Sequence, residues 1–216
     1  SALRLQDTVE QIDIVFDYGA FYINDIPRFV WNFLTGETYY MLDIRSFYQT
    51  LWAYRYEGRG IIEQELNLTP EEVKTIGKFL IWNIQPENQE YLYNFFTDNC
   101  ATRIRDILER EFSDIQWNSP YEPETWRNPL VKRYMGTQSW TSFGANMALG
   151  VPLDKPATTN QLMFLPDALS ESFSTATIDN GTRKLANNKK VILEGREITS
   201  PTFFENAQFV LWSIAI

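Results

Sequence analysis

The sequence predicts an α+β domain on three local observations. Ala2–Gln6 and Ile12–Tyr18 alternate apolar and polar residues, as half-buried strands do. Thr69-Pro70-Glu71-Glu72 has the form of a capping box with proline in the first turn, and it opens an apolar stripe at Val73, Ile76, Leu80 and Ile84. Asn99-Cys100 opens a second stripe, at Ile104, Ile107, Leu108 and Phe112. With 216 residues, 44% of them hydrophobic and 15% aromatic, the chain can bury a real core as one large domain or a domain with an appendage.

Taken in order, Leu3 and Leu5 share one face of the first strand, with Ala2, Arg4 and Gln6 on the other. Polar Asp7–Gln11 suits a hairpin into the second strand, where Ile12, Ile14, Phe16 and Tyr18 lie opposite Asp13, Val15 and Asp17. Asp25-Ile26-Pro27 opens a short helix through Leu34. Thr38–Asp43 reads as a strand, Arg45–Tyr56 as a helix with Phe47, Leu51 and Tyr54 on one side, and Ile61–Leu68 as a strand. Proline and asparagine cluster from Trp117 to Pro129, which predicts a core over 1–116 and a helical and hairpin extension packed on it over 117–216. Within the extension, helical patterns surround Trp140–Leu149 and Pro166–Ala176, and Asp179-Asn180-Gly181 is a hairpin signal. The closing Phe209–Ile216 is apolar but far shorter than the roughly 20 residues that span a bilayer. It reads as a buried strand or as the first turns of a membrane helix, leaving membrane attachment through segments outside this chain open.

Charge and composition exclude several functions. The net charge is −9, and no Lys/Arg stripe exists to hold a phosphate backbone, so nucleic acid is not an expected partner. With one cysteine and no histidine, neither an internal disulfide nor a Cys/His metal site can form, and no calcium-type Asp/Glu loop appears. No metal and no cofactor is expected. Seven tryptophans and eleven tyrosines are a large supply of rings for stacking surfaces, with core packing as the plainer use.

Chemistry concentrates at Cys100. Asn99 is a good N-cap, which leaves Cys100 at the first helical position, where unpaired N–H groups and the helix dipole favour negative charge. Cysteines so placed are activated nucleophiles, and the same N–H groups suit an oxyanion. Arg103 and Arg105 add positive charge nearby. An inert buried cysteine is the plain alternative.

Asn99-Cys100 entering a helix, after an opening strand SALRL, resembles the circularly permuted branch of the papain-like, NlpC-type superfamily, which includes lecithin:retinol acyltransferase. More closely, the chain resembles the Lnb N-terminal periplasmic domain family of the bacterial envelope. The matching segments are SALRLQD (1–7), FDYGAF (16–21), FVWNFLTGETYY (29–40), EGR (57–59) and EQELNLTPEE (63–72), then NIQPENQEYLYNFFTDNCATRIRDIL (83–108) and VPLDKPATTNQLMFLPDALSESF (151–173). The resemblance implies a papain-like antiparallel sheet packed on a cysteine-bearing helix, with further helices and a C-terminal extension, located in the periplasm. It implies Cys100 as nucleophile. In the family a Gly-His pair stands just before the position of Ser1, and that histidine is the implied general base; the 216 residues lack it and are expected to be inactive or nearly so. The residue orienting the imidazole would come from the second strand. Asp17 is preferred for its carboxylate; Tyr18, on the opposite face, is equally a packing residue.

Arg4 shares a face with Ala2 and the position before Ser1, and its guanidinium suits a substrate carboxylate, although a structural ion pair is the commoner fate. Asn99, Arg103 and Asn88 complete the expected substrate-binding set, Asn88 with helix capping as its alternative. The leading function is a thiol-dependent amidase, peptidase or acyltransferase of the cell envelope, acting on peptide, peptidoglycan or lipid acyl groups. The alternative is an inactive papain-like binding or scaffolding module. Weaker readings are a glycoside hydrolase, for which no particular carboxylate pair stands out, and a self-processed N-terminal nucleophile at Ser1.

Overall fold

The computed structural model describes residues 1–21, 25–118, 124–126 and 154–196. In chain order the elements are β1 (Ala2–Asp7), β2 (Ile12–Ala20), α1 (Ile26–Thr35), β3 (Tyr39–Ser46), α2 (Phe47–Glu57), β4 (Ile61–Leu66), α3 (Pro70–Asn83), β5 (Glu90–Leu92) and α4 (Cys100–Glu111). Then follow β6 (Glu124–Thr125), β7 (Pro156–Ala157), α5 (Thr159–Leu162), α6 (Pro166–Thr175), β8 (Thr177–Ile178), β9 (Arg183–Lys184) and β10 (Ala186–Leu193). Helices with antiparallel sheets make this an α+β fold. The helical pattern at Trp140–Leu149 and the apolar ending Phe209–Ile216 lie outside the described residues. Among the described residues, no helix is long and apolar enough to cross a membrane.

The chain divides into two compact units, Ser1–Pro120 with Met163–Arg196, and Tyr121–Leu162 with Glu197–Ile216. Residues 163–196 fall in the first unit. In the second, β6 pairs antiparallel with β7, and α5 is a single turn.

The first unit is built on a four-stranded antiparallel sheet of order β1-β2-β3-β5. The register Leu3↔Phe16 and Leu5↔Ile14 puts the apolar alternates of both strands on one face. On that face pack Ala101, Ile104, Ile107 and Leu108 of α4, Ile76 and Leu80 of α3, and Leu169 and Phe173 of α6, around Phe16, Tyr18 and Leu42. The opposite face carries Arg4, Val15, Asp17, Asp43 and Arg45, and α2 lies over it: the Arg4 guanidinium sits 3.6 Å from the Phe47 ring centre, while Ala53 and Tyr54 flank Asp17 and Asp43. Alternation therefore sends Tyr18 to the α4 side and Asp17 to the α2 side.

Several local expectations shift. Strand β3 runs on to Ser46, because Ser46 and Gln49 form a reciprocal capping box that starts α2 two residues later than the hydrophobic pattern suggests. In α3 the Thr69/Glu72 box is present as read, but the buried stripe is Ile76, Leu80 and Asn83, and Val73 is exposed. The Asp179-Asn180-Gly181 signal becomes a tight turn between β8 and β9, with φ of 54°, 55° and 86°. Strands β5 and β10 were not expected; β10 pairs antiparallel with β4 over Ala186↔Leu66 to Leu193↔Ile61.

Candidate functional site

The approach to Cys100 is a tight loop. Asn94 and Asp98 exchange backbone hydrogen bonds of 2.9 and 3.0 Å, and the Asn94 side-chain oxygen accepts from the N–H groups of Phe96 and Thr97 at 3.1 Å each. This turn delivers Asn99 as the N-cap of α4. Asn99 Oδ1 accepts from the N–H of Ala101 at 2.8 Å and of Thr102 at 3.0 Å, while Thr102 Oγ1 accepts from the N–H of Asn99 at 2.7 Å. The Asn99 amide donates its other two hydrogens to the carbonyls of Phe95 (2.8 Å) and Phe164 (2.9 Å). It is buried and all four of its bonds are internal, so no group of Asn99 is left over for a substrate.

Cys100 stands at the first position of the helix, half-buried, as the sequence predicts. The Asn99 cap consumes the N–H groups of Ala101 and Thr102, and that of Arg103 goes to the Asn99 carbonyl at 2.9 Å. Of the first-turn donors, the Cys100 N–H has no hydrogen-bond partner among the described residues. The oxyanion capacity expected of several N–H groups thus narrows to the cysteine's own.

Three tyrosines within electrostatic reach of the sulfur complete the surroundings: Tyr40 on β3, Tyr91 on β5, and Tyr93 just after it. Burial pushes all three phenols upward, and negative charge at Cys100 adds to the shift. They are therefore neutral donors at physiological pH and cannot serve as bases. The Tyr91 hydroxyl donates to the Tyr18 carbonyl at 2.6 Å, and the Tyr40 and Tyr93 rings stack 4.0 Å apart. The sequence contains the signal, Tyr39-Tyr40 and the alternating Tyr91-Leu92-Tyr93, but only the pairing Tyr40↔Tyr91 joins it to the cysteine.

The remaining expected residues divide between the two sides of the sheet. Tyr18 is on the Cys100 side, fully buried, its hydroxyl donating to Asn83 Oδ1 at 2.7 Å; burial pushes its phenol up to about 12. Asp17 is on the far side, where it accepts from the Gly19 N–H at 2.9 Å and lines a cleft beside α2. Arg103 is near the cysteine, but its guanidinium forks onto Asp98 at 2.5 and 2.7 Å and lies 4.2 Å over the Tyr91 ring. Arg4 is on the far side, forked onto Asp13 at 2.7 Å and bonded to Glu63. Burial lowers its pKa but the carboxylates outweigh this, the Asp13 hydrogen bond above all, and hold the guanidinium well above its usual range. Asn88 closes the end of α3: its carbonyl accepts from Asn83 at 2.8 Å and its amide donates to the Trp82 carbonyl at 3.0 Å.

A family model described as the Lnb N-terminal periplasmic domain matches residues 1–132. The chain belongs to the Lnb N-terminal periplasmic domain family. The match spans β1 through α4 and so contains Cys100 and every candidate residue above. Membership places the domain in the periplasm. No match was found among curated proteins or among solved structures.

Proposed function

We propose that this Lnb N-terminal domain is a papain-like, thiol-dependent hydrolase or acyltransferase of the cell envelope, with Cys100 as nucleophile. The observation that carries the reading is the first turn of α4: a half-buried cysteine at the first helical position, with its own N–H unspent among the described residues. In acyl transfer the thiolate attacks a carbonyl carbon, and the carbonyl electron pair moves to oxygen, where the Cys100 N–H receives it. Collapse breaks the bond to the amine or alcohol, which leaves with a proton. Water or a second nucleophile then takes the acyl group from sulfur. Peptide, peptidoglycan and lipid acyl carbonyls all fit this scheme.

The neutral tyrosines cannot take the thiol proton; the family resemblance implies a histidine just before the position of Ser1 in that role. Pairing of β1 with β2 ends at Ala2↔Asp17, both on the α2 side of the sheet. Tyr18 lies on the side of the sheet that faces Cys100, and Asp17 on the other.

The test is alkylation of the full-length protein with an iodoacetamide probe at neutral pH. Cys100 is expected to react faster than a free cysteine derivative, with labelling abolished in Cys100→Ser, and the same variant to lose release of amine from muropeptides or acyl donors. A rate no greater than that of the free amino acid would sink the enzyme. It would favour the second reading, a binding module on the same frame, for which the separation of Asp17 from Cys100 speaks.

A further inference from the structure

Helix α2 is aromatic on both sides. Phe47, Leu51 and Tyr54 point toward the sheet, while Tyr48, Trp52 and Tyr56 recur every four residues on the outside, 75%, 63% and 81% exposed. No residue of this helix is fully buried. The rings of Trp52 and Tyr56 are parallel within 5°, with centres 5.7 Å apart, a stacked pair on an exposed surface. Four helical residues rise about 6 Å, close to the repeat of one sugar in an extended chain of β-linked pyranoses.

Along the flank of the same helix runs a cleft of about 310 Å³. Its polar lining is Asp17, Asp43, Glu57, Arg45, Arg59 and Tyr54. Asp17 and Asp43 are directly opposite each other on β2 and β3. Its helical edge is Ala53 and Glu57, each next in sequence to a ladder ring, Trp52 and Tyr56. Carboxylates and guanidinium forks are the groups that bond sugar hydroxyls, while aromatic rings stack on the apolar faces of sugars.

We propose that the outer face of α2 and this cleft bind a neutral, β-linked glycan chain, with pyranose rings stacked on Trp52 and Tyr56 and hydroxyls held at the cleft. The charge selects the neutral ligand. Three carboxylates face two guanidiniums, Arg45 is already paired with Asp43 and Arg59 with Glu57, and the chain as a whole carries −9. An anionic lipid surface or an anionic polymer meets repulsion there. A docking protein helix would call for aliphatic side chains, and the ladder has none. The site faces away from Cys100 and stands or falls apart from the thiol chemistry.

The test is titration of the full chain with cellohexaose and with chitohexaose, read by calorimetry and by tryptophan fluorescence. Saturable binding to at least one is expected, weakened about tenfold or more by Trp52→Ala and by Tyr56→Ala. Trp31→Ala and Cys100→Ser are expected to leave it unchanged. Because both ladder rings are exposed, the variants retain the far-ultraviolet circular dichroism of the parent. No saturable binding to either sugar, or binding indifferent to both ladder variants, overturns the proposal. So does binding to phosphatidylglycerol–phosphatidylethanolamine vesicles that Trp52→Ala abolishes while the sugars fail.

Discussion

At the scale of the residue, Asn99 does more than the cap for which the sequence recommends it. Its oxygen closes the first turn of α4 and its amide pins two carbonyls, one of them 65 residues away in sequence. Asn99→Ala removes the cap and the amide's hydrogen bonds to the Phe95 and Phe164 carbonyls, a loss of about 2 kcal/mol or more. Asn99→Asp keeps the cap but turns both donors into acceptors facing carbonyls, so it too is destabilising, where a pure cap would tolerate it. Urea midpoints of the two variants separate these roles. The cap was legible because capping is local: Asp-Asn-Cys-Ala-Thr states it within five residues. The ties to Phe95 and Phe164 were not, since no sequence distance forecasts which carbonyl a buried amide will meet. The same holds for Arg4 and Arg103, whose charge suggests ligands but whose partners Asp13, Glu63 and Asp98 are set by strand register and turn geometry.

At the scale of the element, the Glu72 carboxylate of α3 joins its helix to the β8–β9 hairpin. It accepts from Arg183 at 2.5 and 2.9 Å and from the Thr69 N–H at 2.6 Å. The Arg183 hydrogen bond is the main cause that holds Glu72 at about 2, below its ordinary 4.5. The unfolded chain therefore binds this proton more tightly than the folded one. The contribution to stability is complete above about pH 4.5 and is lost as pH falls toward about 2. Thermal melts of the parent are expected to drop steeply over that interval, and those of Glu72→Gln to start lower at neutral pH and fall less. The alternation of β1 and β2 was readable down to which side chains share a face, including the split of Asp17 from Tyr18. Which face receives α4 and which receives α2 was not, because that is decided by packing across the whole unit. Strand β10 escaped notice for a related reason: Asn187-Asn188-Lys189-Lys190 is polar, and its pairing with β4 spans more than a hundred residues.

For the whole molecule, the family match and the folding unit do not coincide. The match ends at residue 132, yet the core of the first unit takes in Met163, Leu169, Phe173, Ile178 and Leu185, and β10 closes the ladder on β4. At roughly 1.5–3 kcal/mol for each large side chain, their removal is comparable with the full stability of a domain, about 5–15 kcal/mol. A chain ended at 132 is expected to show no cooperative urea transition, while one ended after Arg196 keeps the elements of the first unit. The mechanism inherits this dependence, since the Phe164 carbonyl that steadies Asn99 comes from the same late segment.

Cys100 is the one thiol of these 216 residues. In an oxidising compartment a thiol is commonly protected by pairing with a neighbour along the chain, and these 216 residues offer none. Any disulfide formed by this stretch must reach outside it, to a second molecule or to a thiol elsewhere. On a non-reducing gel, a disulfide from position 100 to a second protein molecule is expected as a heavier band that reductant removes.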